Sequence, residues 1–465
     1  MLAARRSFFK PITIIAVIAA WFFANTWRGL KSYFNPDDMM NLYHAWDFPA
    51  LHLFIANLTP FNRVYRPFGA FFYRALFDLF GLHPLPFRIA IFCVLLANIA
   101  LLYWFAKLIT ESTEIAVLAA LIGAYHNRVM DIYMYGGTVY DILCFFFFTA
   151  AACIYIRARR NGDGFDRRSA AAFLALNVLA LNSKEMAATL PAVLLAYEWL
   201  YHRPFSFRKS WPAWSSLAIT AVVAWIRTGP GVAFSGNEEY RIDVSIRSYF
   251  LTTRQFLDDL FLRRAGTVST AKAILIFAAV VLIASLSRRR DLRLCALMIL
   301  ILPLPVNFIH YRGFFVMYLP LLSWSIFLAI LAVAVRDGLL ERIWHRPPLP
   351  VRTWEPERVA LFGFVLYALF NMNAHDTARS FADVNSALGR VQMFAGSLDR
   401  LNIPLRPHSH VRLLEYDFLP DELLTPMYIV RLHYRDTSLE ADVRDEGRDY
   451  HLKLTLCDQR YCVAP

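Results

Sequence analysis

Two adjacent carboxylates, Asp37 and Asp38, follow directly on the first long apolar segment of the chain. Charged groups at the mouth of a hydrophobic bundle are costly to keep there and usually have a chemical task. One of the pair could take a proton from an attacking hydroxyl as a general base. The other could hold a divalent metal or orient its neighbour, and their mutual repulsion would raise one pKa. The competing reading is that Asp-Asp caps the next helix and is simply solvated. Pro36 restricts Asn35 to extended geometry, which predicts that the helix has ended and that both carboxylates sit in a turn.

Candidate partners lie much further along. Ser183-Lys184-Glu185 interrupts an almost wholly apolar stretch from Ala170 to Leu200. A charge near hydrocarbon costs about 2.5–3.5 kcal/mol on insertion scales. Lys184 therefore either bridges to Glu185 at a short turn or faces a cavity where it meets phosphate. His310-Tyr311-Arg312 closes a later apolar run. An arginine there could grip two phosphate oxygens and stabilise a leaving phosphate, or it could anchor a helix at the headgroups. His126, Arg128 and Asp131 could line the same opening, and Asp141 lies within an apolar segment where it needs a partner. For these four the structural reading comes first. His83, between Leu82 and Pro84, reads as a turn residue, and Asn57-Leu58-Thr59 matches a glycosylation sequon.

The elements that must position these groups are apolar helices. The 465 residues are 58% hydrophobic and only 18% charged, with a mean hydropathy of +0.41. Roughly 20 apolar residues cross a bilayer, and about eleven stretches qualify or nearly qualify: 11–29, 87–107, 115–127, 138–156, 169–183, 186–201, 211–227, 271–286, 293–309, 314–335 and 358–372. The composition excludes a soluble globular domain. The net charge of +12 reads as topology rather than nucleic-acid binding. Basic residues collect in alternate loops, from Arg5, Arg6 and Lys10 through Arg157–Arg168 and Arg288–Arg293 to Arg336–Arg358. The positive-inside rule puts those loops and the N-terminus in the cytoplasm, and Asp37 and Asp38 outside. The first segment lacks a small-residue cleavage site and reads as an uncleaved anchor.

Arg66 to Leu82 mixes six apolar residues with Arg74 and Asp78, which can pair at i,i+4 on an interfacial amphipathic helix. A second long loop, 228–270, reads as helical again over Ser245–Arg264. The linker 336–357, with four prolines, reads as irregular. After about residue 373 the chain is soluble in character, with strand-like alternation over Met427–His433 and Tyr450–Leu456. Residues 1–372 thus form the membrane part and 373–465 a small external mixed α/β domain. Cys457 and Cys462 could pair there in an oxidising compartment. Cys93, Cys144, Cys153 and Cys295 read as packing residues. The sequence has no internal repeat, glycine-rich phosphate loop or Gly-x-Ser-x-Gly elbow.

Four stretches, in this order, resemble the GT-C fold of integral-membrane glycosyltransferases, and most nearly the protein O-mannosyltransferase-like branch. They are Asp37-Asp38; Tyr65-Arg66-Pro67-Phe68 with Phe80-Gly81-Leu82-His83-Pro84; Ser183-Lys184-Glu185 through Leu190-Pro191; and Arg312 with Tyr318-Leu319-Pro320. The resemblance implies an inverting transfer of a sugar from a polyprenyl-phosphate donor to a hydroxyl of a protein, lipid or polysaccharide. It implies a catalytic base at Asp37 or Asp38, and substrate contacts from Arg66, Lys184, Glu185, His310 and Arg312. The chain departs from the family at Val94–Asn98, where a histidine is common, and at Gly136-Gly137-Thr138-Val139, where an arginine is common. It also lacks a tetratricopeptide array. A transporter of a lipid-linked sugar would show repeated halves, and none is visible. A non-catalytic scaffold remains the third reading. The expected partners are the bilayer and the lipid-linked donor, with no nucleic acid.

Overall fold

In the computed structural model of the chain, the described residues are 11–61, 64–124, 130–161, 165–228, 242–261, 266–344, 356–374, 377–447, 449–458 and 460–464. Helix α1 (Pro11–Thr26) runs on through a 3-10 turn to Lys31. Three short helices follow: α2 (Pro36–Trp46), α3 (Ala50–Leu58) and α4 (Pro67–Phe80). Each begins at a proline or just after one, because the fixed φ of proline suits a first helical turn. Helix α4 buries Gly69, Ala70, Tyr73 and Phe77 and exposes Leu79 and Phe80. Arg74 and Asp78 pair on it at 2.7 Å, as the spacing predicts.

The bundle proper contains α5 (Pro84–Thr110), α6 (Thr113–Ala124), the short α7 (Met130–Met134), α8 (Val139–Arg160) and α9 (Arg167–Ser183). Asp166 caps α9 by accepting from the Ser169 amide. Then come α10 (Leu190–Tyr201), α11 (Trp211–Thr228), α12 (Ile246–Leu260), α13 (Thr270–Leu286), α14 (Arg290–Ile301), α15 (Leu304–Asn307), α16 (Tyr318–Trp344) and α17 (Pro356–Ala374). Helix α12, capped by Ser245, is the one predicted over Ser245–Arg264. The linker predicted as irregular from 336 is helical to Trp344. There Arg336 holds α16 against α6 through Glu114.

Among the described residues four helical stretches are long and apolar enough to cross a membrane: Thr13–Lys31, Pro84–Thr110, Gly136–Arg160 and Phe314–Arg342. The chain is a multi-pass membrane protein. The other apolar stretches do not translate one for one into full crossings. Thr113–Ala124 and Thr270–Leu286 are shorter. The run from 170 to 200 breaks at a 3-10 turn over Glu185–Thr189, and that from 293 to 309 breaks at Pro303.

Beyond α17 the chain turns mixed: α18 (Thr377–Leu401), β1 (His410–Leu413), α19 (Thr425–Tyr434), β2 (Glu440–Asp442), β3 (Leu452–Cys457) and β4 (Arg460–Val463). The sheet order is β2-β1-β3-β4, with β1 parallel to both neighbours and β3 antiparallel to β4. Strand β3 overlaps the predicted Tyr450–Leu456 strand, but Met427–His433 is helical, inside α19. Pro426 presets the first turn of α19, and the helix is packed against α2 and against β2. Burial towards two partners gives the residue pattern a false period of two. Cys457 and Cys462 are disulfide-bonded across the β3–β4 hairpin. Cys144, Cys153 and Cys295 are buried as expected, whereas Cys93 is exposed.

Candidate active site

The acidic pair is not in a turn; it occupies the first turn of α2. Asn35 caps this helix, accepting from the Asp38 amide at 2.6 Å, while the Asp38 carboxylate accepts from the Asn35 amide at 3.0 Å. This reciprocal capping box satisfies two amides that a helix start leaves unpaired. Asp38 also accepts from the Tyr73 hydroxyl at 2.9 Å and pairs with Arg88 at 3.3 Å, and both ionic side chains are 1% exposed. Arg88 in turn donates to the carbonyls of Ser32 and Tyr33. The capping reading therefore describes Asp38, a carboxylate locked between the start of α5 and the start of α2.

Asp37, one residue earlier, is solvent-exposed. Protein groups nevertheless surround it, and its proton affinity is raised above the ordinary carboxylate value. Desolvation is the main cause, followed by repulsion from Asp38; the Arg312 guanidinium opposes both, and Asp421 and Glu422 add to the rise. The two aspartates thus sit in different surroundings, a division that spacing could not show. The packing that brings the backbone onto them uses Gly136 and Gly137. A Cβ on Gly136 would lie 2.3 Å from Asp38 Oδ1, and one on Gly137 would lie 3.1 Å from Asp37 Cβ.

The second layer is a set of charge pairs drawn from the ends of α4, α8 and α9. Lys184 does not bridge to Glu185; its Nζ meets Asp141 Oδ1 at 2.5 Å, with the two side chains 3% and 5% exposed. The same ammonium sits 5.2 Å from the Phe315 ring centre. Glu185 instead receives Arg66 through two hydrogen bonds of 2.6 and 3.1 Å. Burial alone would raise the Glu185 carboxyl, but Arg66 and then Lys184 outweigh it and hold the group down at about 2. Arg66 also lies over the Tyr65 and Tyr140 rings. Its φ of 47° is left-handed, a conformation that costs a non-glycine residue roughly 1–2 kcal/mol. Such strain persists where surrounding contacts over-determine it, as the fork onto Glu185 and the ring stacking do here. Tyr140 continues the chain of contacts by donating to Asn41 Oδ1 on α2 at 3.2 Å.

Arg312 is half-buried and His310 exposed in the loop before α16. Gly313 follows at φ 102°, a left-handed value that suits glycine and turns the chain into the 3-10 turn Phe314–Met317. The C-terminal segment covers the same end of the bundle. Tyr428 stacks on Tyr43 with ring centres 5.1 Å apart, and Arg431 donates to the Tyr43 hydroxyl at 2.7 Å. Glu422, which raises Asp37, is itself held by Arg390 at 2.6 Å.

Asp37, Asp38, Arg66, Asp141, Lys184, Glu185 and Arg312 are therefore linked by contacts or electrostatic influence at one end of the helices. Tyr73, Arg88, Gly136, Gly137 and Tyr140 are the members sequence reasoning missed. Arg88 had a readable signal, since a cation at the start of an apolar span demands a partner. His126 and Arg128 lie outside the described residues, as does the Asp131 side chain. The sequon at Asn57 is sequestered: the side chain is 6% exposed and donates to the Leu53 and Pro67 carbonyls. An apolar crevice lined by Phe22, Leu95, Asn98, Phe145, Tyr318 and Leu322 lies elsewhere in the bundle and takes in none of these charges.

The structure thus places short helices after the first apolar helix, an acidic pair opening the first of them, and cations near later helix ends. Among solved structures, the chain is similar to ArnT from Cupriavidus metallidurans bound to undecaprenyl phosphate. The identity is 15% and the TM-score 0.54, with 94% of this chain and 86% of that one covered. The Archaeoglobus fulgidus oligosaccharyltransferase tethered with an acceptor peptide also matches, at 12% identity, a TM-score of 0.49, and coverage of 93% and 64%. At such identities the likeness is one of fold. No protein-family model matches the chain, and no curated protein matches its sequence. The narrower resemblance, to the O-mannosyltransferase-like branch, rests on the four sequence stretches alone.

Proposed function

We propose that the protein is an inverting glycosyltransferase that moves a sugar from a polyprenyl-phosphate donor to a hydroxyl acceptor at the external membrane face. The observation that carries this reading is the accessible Asp37, its proton affinity raised, facing the charge of Arg312 at one end of a GT-C bundle. The ArnT structure of the same fold is bound to undecaprenyl phosphate, which supports a lipid phosphate as the donor's chemical class.

In this mechanism Asp37 takes the proton of the acceptor hydroxyl. The freed oxygen attacks the anomeric carbon, the bond from that carbon to the phosphate oxygen breaks, and polyprenyl phosphate leaves with the electron pair. Arg312, with His310 beside it, stabilises the developing phosphate charge. Arg66, Lys184 and Glu185, assigned to substrate by the resemblance, are held by carboxylate or cation partners. We assign them to shaping the cleft rather than gripping the phosphate. Asp38 has its oxygens engaged by Asn35, Tyr73 and Arg88. The pair thus offers a divalent cation one open carboxylate. The N-terminus lies inside and residues 373–465 outside in this arrangement, consistent with the distribution of arginines.

The test is to offer purified protein a panel of polyprenyl-phosphate sugars with simple hydroxyl acceptors and to follow polyprenyl phosphate release. Release that depends on Asp37 supports the reading. If the Asp37→Asn variant, normally folded, releases polyprenyl phosphate as fast as the parent, the assignment fails.

A further inference from the structure

Far from Asp37 in sequence, the outer edge of the C-terminal sheet gathers a second set of ligand-type groups. Strand β2 is the edge strand and only three residues long, Glu440–Asp442. It pairs in parallel with β1, with His410 opposite Glu440 and Arg412 opposite Asp442. Because side chains alternate along a strand, Glu440 and Asp442 project on one face, the face that carries His410. One ligand atom from each of the three lies within 4.8 Å of the others, and all three residues are half-buried.

The details favour a cation between them. His410 Nδ1 is buried, and no hydrogen bond is made to it. It lies 3.3 Å from Glu440 Oε2. Two ligands on a tetrahedral zinc, with bonds of 2.0–2.1 Å, stand about 3.3 Å apart. The spacing of this pair is thus already that of neighbouring ligands, and small side-chain rotations bring in Asp442. Arg412, opposite Asp442, pairs with Asp445 at 2.6 Å and lies 5.3 Å from the Tyr450 ring centre. His451 Nδ1 already accepts from the His410 amide at 3.1 Å, so it braces the strand rather than serving as a fourth ligand.

We infer that His410, Glu440 and Asp442 form a divalent-cation site that clips strand β2 to β1. A mixed nitrogen and carboxylate set of this kind suits zinc, or manganese with added water. Its consequence is mechanical. Strand β2 packs on α19, whose other side packs on α2, the helix that carries Asp37. The ion fastens a three-residue strand that has one pairing partner, and so steadies α19 against α2.

Full-length protein in detergent, purified without a histidine tag and stripped with chelator, is dialysed against zinc chloride and analysed for bound metal. The expected result is one zinc per chain and a higher unfolding temperature on loading. His410→Ala and the near-isosteric Glu440→Gln lose both effects, while Asp37→Asn keeps them, which separates this site from the proposed catalytic carboxylate. A parent that binds less than half an equivalent, or a folded Glu440→Gln variant that binds and stabilises like the parent, overturns the proposal. Should His410→Ala fail to fold, Glu440→Gln alone decides.

Discussion

Helix α8 carries a buried ion pair at each end, and the two ends are built to different purposes. Asp141, in its first turn, meets Lys184. Arg159, in its last turn and roughly 27 Å away at 1.5 Å per residue, meets Glu198 through two bonds of 2.5 and 2.8 Å. Tyr155 adds a third bond to Glu198 at 2.8 Å, and the Arg159 and Glu198 side chains are 3% and 0% exposed. The Arg159–Glu198 pair is bonded to itself and to Tyr155 and shut away from water. At the Asp141 end the pairs stand beside an accessible carboxylate whose proton affinity is raised. Buried charge by itself therefore does not mark a site; a residual, reachable charge does.

The sharpest way to break this comparison is at Asp37. Asp37→Asn is expected to lower turnover by about 10²–10⁴-fold, the usual worth of general-base catalysis, with little change in unfolding temperature. The same proton sets the pH dependence. Because the Asp37 pKa is raised, the acid limb of the rate profile falls at higher pH than for an ordinary carboxylate near 3.9. The folded chain also holds this proton to higher pH than the unfolded chain. Its contribution to stability is therefore complete below the ordinary carboxylate range and declines as pH rises through the folded value. An acid limb at or below the ordinary value would contradict the raised affinity.

At the closed end the sign of the effects reverses. Arg159→Leu alone should cost about 3–5 kcal/mol of stability by stranding Glu198, and the double change with Glu198→Leu should recover most of it. Rate per folded molecule should stay at the parental level in both, measured beside denaturant or thermal unfolding. A specific loss of turnover would show that the two ends are not separable.

Arg312→Ala should lower turnover by about 10²–10³-fold, as removal of one preorganised charge-stabilising donor typically does, and Arg312→Lys should restore part of it. Smallest is the outer cover: Tyr428→Ala removes the stack on Tyr43 and should cost about 0.5–1.5 kcal/mol beyond its lost buried area. Thermal unfolding of the variant against Tyr428→Leu isolates that stacking contribution.

Much of the helical frame was legible. The Arg74–Asp78 pair, the Cys457–Cys462 bridge and the helix over Pro67–Phe80 after the first span all follow from local rules. Partner choice was not. Lys184 and Glu185 are adjacent and looked like each other's partners, yet a 3-10 turn sends one to Asp141 and the other to Arg66. Met427–His433 alternated like a strand because α19 is buried on two sides.

Composition and periodicity by themselves determined that this is a multi-pass helical protein with charges at the ends of its apolar segments. Hydrocarbon tolerates almost no unpaired polar group, so both features have to be written into every segment. Only the tertiary structure decided which aspartate is locked by Arg88 and Tyr73 and which is left facing the cleft. That division depends on two glycines at 136 and 137 letting the backbone close over Asp38, a contact between residues about a hundred positions apart that no local pattern encodes.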